Sequence, residues 1–143
     1  MTFYKKGANF ERSLVKEFWK RGYASLRVAG SGSAPLSLPD IVAMKDGRII
    51  AVECKTCSKE SFYLKNSDID ELQEFSDVAG AEPFVAVKFN NVKPKFIPLA
   101  LLRGKKISRN DTSLTLDSVL GVQKTLGADT AADIEDLGLG TED

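Results

Sequence analysis

The sequence contains no histidine. That removes the Ser-His and Cys-His pairs of nucleophilic catalysis and every zinc site that needs imidazole, so any hydrolysis by this chain falls to carboxylates, lysine, hydroxyls or hard cations. Cysteine is scarce too, with Cys54 and Cys57 the only two. They form a C-x-x-C. A zinc site would need a second pair, and a redox dithiol places its first cysteine at a helix N-terminus, whereas Cys54 falls in a strand pattern and points opposite to Glu53 and Lys55. Two free thiols in a reducing, cytoplasmic setting are therefore expected, with Cys54 acting as a small buried hydrophobe. No stretch approaches the roughly 18 apolar residues of a bilayer span, and MTFYKKGANF lacks the apolar run of a signal peptide, so no membrane partner is expected. No internal repeat suggests a solenoid, and 143 residues with 43% apolar content fit one globular domain.

The net charge of zero conceals an asymmetry. All 20 Lys and Arg and 14 of the 20 acids lie at or before residue 126, so that part carries +6 and the acidic remainder −6. Near the N-terminus, Lys5, Lys6, Arg12, Lys16, Lys20, Arg21 and Arg27 outnumber Glu11 and Glu17 by seven to two. Such an excess can meet a phosphate backbone, but on charge alone the solvated helix face is the favoured reading.

Phe10, Leu14, Phe18 and Trp19 recur at near-helical spacing and predict a helix over 8–21, closed at Gly22. Residues 23–29 read as a strand, followed by the Gly/Ser/Pro-rich loop GSGSAPLSLP. Residues 40–44 and 48–55 form a hairpin through Asp46-Gly47, a pair suited to the positive φ angles of a type I′ turn. A second helix is expected over 67–80, with Ile69, Leu72, Phe75 and Val78 as its apolar face. PFVAVKF (83–89) reads as a buried strand, Asn90-Asn91 as a turn into KFIPLALL, 105–108 as a short strand, and 115–126 as a last helix resting on Leu116, Val119, Leu120 and Leu126 up to Gly127. This order implies an α/β fold, a mixed sheet flanked by helices. Residues 1–127 are expected to form the domain, and 128–143 an acidic, disordered tail.

A two-residue turn at Asp46-Gly47 sets opposing residue numbers to a constant sum and places Asp40 across from Glu53. Opposed like charges repel. Lys55, two residues beyond Glu53, shares its face, but one ammonium matches two carboxylates poorly, whereas a hard dication such as magnesium or manganese suits them. The bland alternative is a charged cluster at the end of a hairpin. Glu11 is a further carboxylate at the edge of the first helix's apolar stripe, either functional or a surface charge.

These blocks together resemble the archaeal Holliday-junction resolvases (Hjc-type), a branch of the PD-(D/E)xK nuclease superfamily. KKGANFERSLV resembles their opening basic-Gly-x-x-x-Glu-Arg, SGS their serine loop, LPDIVA and VECK the core motif, and AVKFNNV and GVQKTL the later blocks. The resemblance implies a restriction-endonuclease-like fold and magnesium-dependent hydrolysis, with manganese as a substitute, and no nucleotide cofactor. It assigns the metal to Asp40, Glu53 and Glu11, assistance of the attacking water to Lys55, and a catalytic-loop role to Ser31. Lys5, Lys6, Arg12, Arg27 and Lys88 become DNA-binding candidates. It further implies a homodimer that cuts four-way junction DNA by paired symmetric nicks, leaving 5′-phosphates. Phe75 is retained, while Ala79 stands where some relatives carry a second aromatic, leaving dimerisation and DNA contact both open for Phe75. A nuclease of the same motif acting on other DNA structures, and a branched-DNA-binding module without catalysis, are the competing readings.

Overall fold

The computed structural model describes residues 3–121. The chain divides into two units, Met1–Ser113 and Leu114–Asp143. The expected boundary at 127, the tail and Leu126 lie outside the described residues.

Unit one begins with helix α1 (Phe3–Lys20), then strand β1 (Ala24–Arg27), a 3-10 turn at Ser31–Ser33, and strands β2 (Ile41–Lys45), β3 (Arg48–Cys57) and β4 (Ser61–Tyr63). Helix α2 (Asn66–Ala79) follows, then β5 (Glu82–Phe89), β6 (Lys95–Pro98) and β7 (Lys106–Ser108). Five strands make one sheet in the order β1-β2-β3-β5-β6, and β4 pairs with β7 in a second. The β3–β5 pair is parallel and its neighbours antiparallel. A parallel pair needs a long crossover, and α2 supplies it.

Helix α1 buries Phe10, Leu14 and Phe18, spaced by four. It starts at Phe3, earlier than expected, and runs through Gly7; a glycine inside a helix costs only about 1 kcal/mol relative to alanine once the turns around it propagate. Trp19 is not core: it is 58% exposed, with Nε1 donating to the Ser25 carbonyl at 3.0 Å. Four-residue spacing keeps a helical stripe together, and position 19 falls beside it.

The same geometry corrects α2. Ile69 and Leu72 are buried, but Val78 is 86% exposed. Each three-residue step falls about 60° short of a full turn, so three steps carry Val78 to the side opposite Ile69. The helix stops at Gly80, in the left-handed region at φ 69°.

The hairpin forms as its turn chemistry requires, with Asp46 and Gly47 at φ 49° and 84°. Register runs from Lys45–Arg48 to Ile41–Val52. Arg48 then ties the hairpin to β5, donating to both oxygens of Glu82 at 2.7 and 2.9 Å and to the Tyr23 hydroxyl at 3.1 Å. On one face of the sheet Ala51, Val85, Val87 and Phe89 pack with Leu64, Ile69, Leu72 and Ile107.

In unit two, α3 (Leu116–Leu120) starts at Thr115, whose side chain accepts from the Ser118 N–H, and ends at Gly121 (φ 73°). The helix expected over 115–126 thus has a stop at 121, because a glycine in the left-handed region closes it there. Among the described residues no helix is long and apolar enough to cross a membrane.

Candidate active site

Alternation along β3 puts residues 51, 53 and 55 on one face. Ala51 is buried beneath α2, so Glu53 and Lys55 emerge from that face where the strand runs past the helix start. Lys55 Nζ lies 3.6 Å from Glu53 Oε2 and 3.0 Å from Asp68 Oδ2, in the first turn of α2.

Asp40 arrives from the other arm of the hairpin, just outside β2. The ladder breaks there: the Asp40 N–H donates to the Val52 carbonyl at 3.0 Å, so Asp40 and Ile41 both lie against Val52, as in a bulge. The simple register therefore ends one residue short of the expected Asp40–Glu53 pair. Asp40's side chain reaches past it instead, Oδ2 accepting the Cys54 N–H at 2.8 Å and Oδ1 the Ser31 hydroxyl at 2.7 Å. The preceding Pro39 is fully buried and anchors the chain at this point.

The carboxylates crowd one another. Burial pushes the Glu53 carboxyl up to about 8, and the charge of Asp40 adds to the shift against the opposing pull of Lys55. Burial also raises Glu11, with Asp40 contributing and the bond from Arg27 opposing. Burial lowers the Lys55 ammonium's pKa, but the hydrogen bond to Asp68 and the charge of Glu53 outweigh it, leaving the group above its ordinary value and cationic.

Ser31, Asp40, Glu53 and Lys55 are thus brought together. Glu11 stands nearby on α1, its Oε1 bound by Arg27 Nε at 2.7 Å, with both side chains mostly buried. Arg27, a DNA-binding candidate, is therefore engaged with Glu11. Lys6 Nζ donates to Asn90 Oδ1 at 2.7 Å, and Lys88 Nζ to the carbonyls of Phe89 and Val92 at 3.0 and 2.7 Å, so Lys88 braces the turn after β5. Both lysines line a cavity of about 430 Å³ with Asn9, Thr56, Asn90 and Asn91. Thr56 points opposite to Lys55, which sets this cavity apart from the acidic cluster. Lys5 and Arg12 are exposed on α1, Arg12 reaching Asn9 Oδ1 at 3.4 Å. Both cysteines are free, and an odd separation along one strand sends them to opposite faces. Asp68 is the residue that sequence reasoning missed; its only local signal was an acid near a helix start, which ordinarily serves the helix dipole.

Among the described residues no three acidic or cysteine side chains converge closely enough to enclose an ion on their own. Asp40 and Glu53 still suit a hard dication. They are oxygen donors in mutual repulsion, and magnesium is commonly held by one or two carboxylates, with water and substrate phosphate filling the rest.

A mixed sheet with a parallel crossover, carrying a buried Pro39 and Asp40 just before β2 and Glu53-x-Lys55 on the adjacent β3, defines a restriction-endonuclease-like fold with the PD-(D/E)xK motif. Comparison with known proteins narrows the class. Residues 2–128 match the family model described as archaeal Holliday junction resolvase (Hjc), and the chain belongs to that family. It is 40% identical over 110 residues to the crossover junction endodeoxyribonuclease Hjc of Archaeoglobus fulgidus, covering 76% of this chain and 81% of that one. It is 41% identical over 87 residues to the protein of the same name from Methanocaldococcus jannaschii, covering 61% of this chain and 62% of that one. A solved structure of A. fulgidus Hjc, described as a Holliday junction resolvase, matches with a TM-score of 0.73 and 37% identity, covering 79% of this chain and 97% of that one.

Proposed function

We propose that this protein resolves four-way DNA junctions by metal-dependent phosphodiester hydrolysis, acting as a homodimer that makes paired symmetric nicks. The observation that carries this reading is the convergence of Asp40, just before β2, with Glu53 and the cationic Lys55 on the central strand β3. Family membership gives the substrate class.

Asp40 and Glu53 are the residues that would hold magnesium, with manganese as a substitute, and Glu11 joins them where Arg27 releases it. When bound, the ion supplies Lewis acidity toward the phosphate and a more acidic water. Lys55 contributes a fixed positive charge beside the phosphate as negative charge develops. Ser31 orients Asp40 through its hydroxyl, while the Cys54 N–H fixes the other carboxylate oxygen. Lys5, Lys6 and Arg12 present charge to the DNA backbone, with Arg27 and Lys88 behind them. No nucleotide cofactor enters this chemistry. Purified protein is expected to nick a four-way junction in magnesium, to leave linear duplex of the same sequence largely intact, and to cut neither substrate in EDTA. Equal cutting of both substrates would reassign it to ordinary duplex.

A two-fold dimer presents two identical sites to a symmetric junction. The face of β1 and β2 that α2 does not cover supports it. There Leu26 is 49% and Met44 38% exposed, each opposite a half-buried residue, Val42 and Ile49. Light scattering should give a dimer for the wild type and a monomer for the Leu26→Glu/Met44→Glu double variant. A wild-type monomer that resolves junctions would refute the dimer.

A further inference from the structure

We infer that Asp68 is a positioning residue for the proposed chemistry: its carboxylate sets where the Lys55 ammonium stands. The inference rests on the nuclease reading for its consequence, but its geometry stands alone.

Lysine is a point charge on a flexible four-carbon stem with three rotatable donors, so a lysine that must stand beside a reacting phosphate needs an external anchor. Glu53 is a poor one. At 3.6 Å its oxygen lies beyond a good hydrogen bond, and this carboxylate is also the one a cation needs. Asp68 Oδ2 accepts from Lys55 Nζ at 3.0 Å. Asp68 is itself well fixed: it precedes the buried Ile69 in the first turn of α2, and Ile69 and Leu72 pack into the same core as Ala51, two residues before Glu53. The lysine is thereby held between two carboxylates on different elements and drawn toward the one that is not a proposed metal ligand. A carboxylate at a helix start is favourable for the dipole alone, but that explanation leaves unexplained why this one reaches across to β3. Removing it lets the ammonium swing onto Glu53, misplacing the charge and competing with a cation for that side chain.

The test uses a double-mutant cycle on the full chain. Single-turnover junction cleavage is measured for wild type, Asp68→Ala, Asp68→Asn, Lys55→Ala and the Asp68→Ala/Lys55→Ala pair. Asp68→Ala should lower the rate by about 10- to 100-fold with junction affinity unchanged, because a small misplacement of a catalytic group costs that much. Asp68→Asn should keep most of the rate, since its amide oxygen accepts the same bond. In the Lys55→Ala background, Asp68→Ala should change nothing. A second arm needs no cleavage: NMR relaxation of the Lys55 Cε in metal-free protein should show a lower order parameter in Asp68→Ala and an unchanged one in Asp68→Asn. Asp68→Ser replaces the alanine variant if that does not fold. Wild-type rate in Asp68→Ala, an additive loss in the Lys55→Ala background, or an equally ordered Lys55 without Asp68 would overturn the inference. A wild type that cuts no junction overturns the nuclease reading alone, and the NMR arm still decides this one.

Discussion

Asp40→Asn is expected to lower magnesium-dependent junction cleavage by on the order of 10³-fold, while junction affinity measured in calcium stays the same or tightens slightly. The substitution keeps the shape of the site. Asp40 accepts two hydrogen bonds, one from the Ser31 hydroxyl and one from the Cys54 backbone. The backbone N–H can only donate, and the Asn carbonyl oxygen still receives it. The new amide N–H₂ then faces Ser31, whose hydroxyl can turn and accept. What disappears is the negative charge, and with it half of the carboxylate pair that suits a dication. Removing an acid from a protein–DNA interface also relieves repulsion with phosphate, so binding has no reason to weaken. Full activity in Asp40→Asn would remove Asp40 from the mechanism. A loss of affinity parallel to the loss of rate would make it a folding or binding residue.

The sequence made the hairpin legible because its signals are local. Asp46-Gly47 demands positive φ angles, and that turn sets the pairing as far as Ile41–Val52. Alternation then places Glu53 and Lys55 together on one face. The bulge at Asp40 was not legible, since it depends on where the buried Pro39 sits and on a side chain that reaches the Cys54 backbone. Phe10, Leu14 and Phe18 announced α1 through four-residue spacing, whereas the three-residue spacing in α2 mixed two faces and brought Val78 in wrongly. The short strand expected over 105–108 forms as β7, but its partner β4 was not legible: it is three residues long, pairs across more than forty positions, and a segment that short carries no periodicity of its own. Asp68 was missed for a related reason. Its meaning comes from the packing of α2 over β3, a long-range fact that no window around residue 68 contains. Likewise the Glu11–Arg27 pair joins α1 to β1 through the fold, so two residues expected to face metal and DNA separately are found holding each other.

Glu53→Gln is expected to abolish cleavage and yet raise thermal stability in EDTA at alkaline pH. A carboxyl held at about 8 in the folded state, against an ordinary value of 4.5 in the unfolded chain, keeps a proton that the unfolded chain has released. Native protein therefore binds more protons than unfolded protein between these values, and stability falls as pH rises through the interval. The favourable term is fully present below 4.5 and gone above 8. Glutamine carries no charge to bury beside Asp40, so the variant escapes the penalty, and its advantage over wild type should grow between about pH 5 and 8 to about 1 kcal/mol or more, roughly 4 °C in Tm. Lys55 is not orphaned by the change, because its closer partner is Asp68. Magnesium should reverse the order: an ion held by the native carboxylates stabilises wild type by mass action and finds half a site in the variant. Melting curves of both proteins in EDTA and in magnesium across this pH range read all of these effects. A variant less stable than wild type in EDTA at the alkaline end, or an equal magnesium shift in both, would show that the acids are held together by the fold for its own stability. The expected pattern, a lost reaction with a gained degree of stability, marks a site where the fold tolerates repulsion that only a cation relieves.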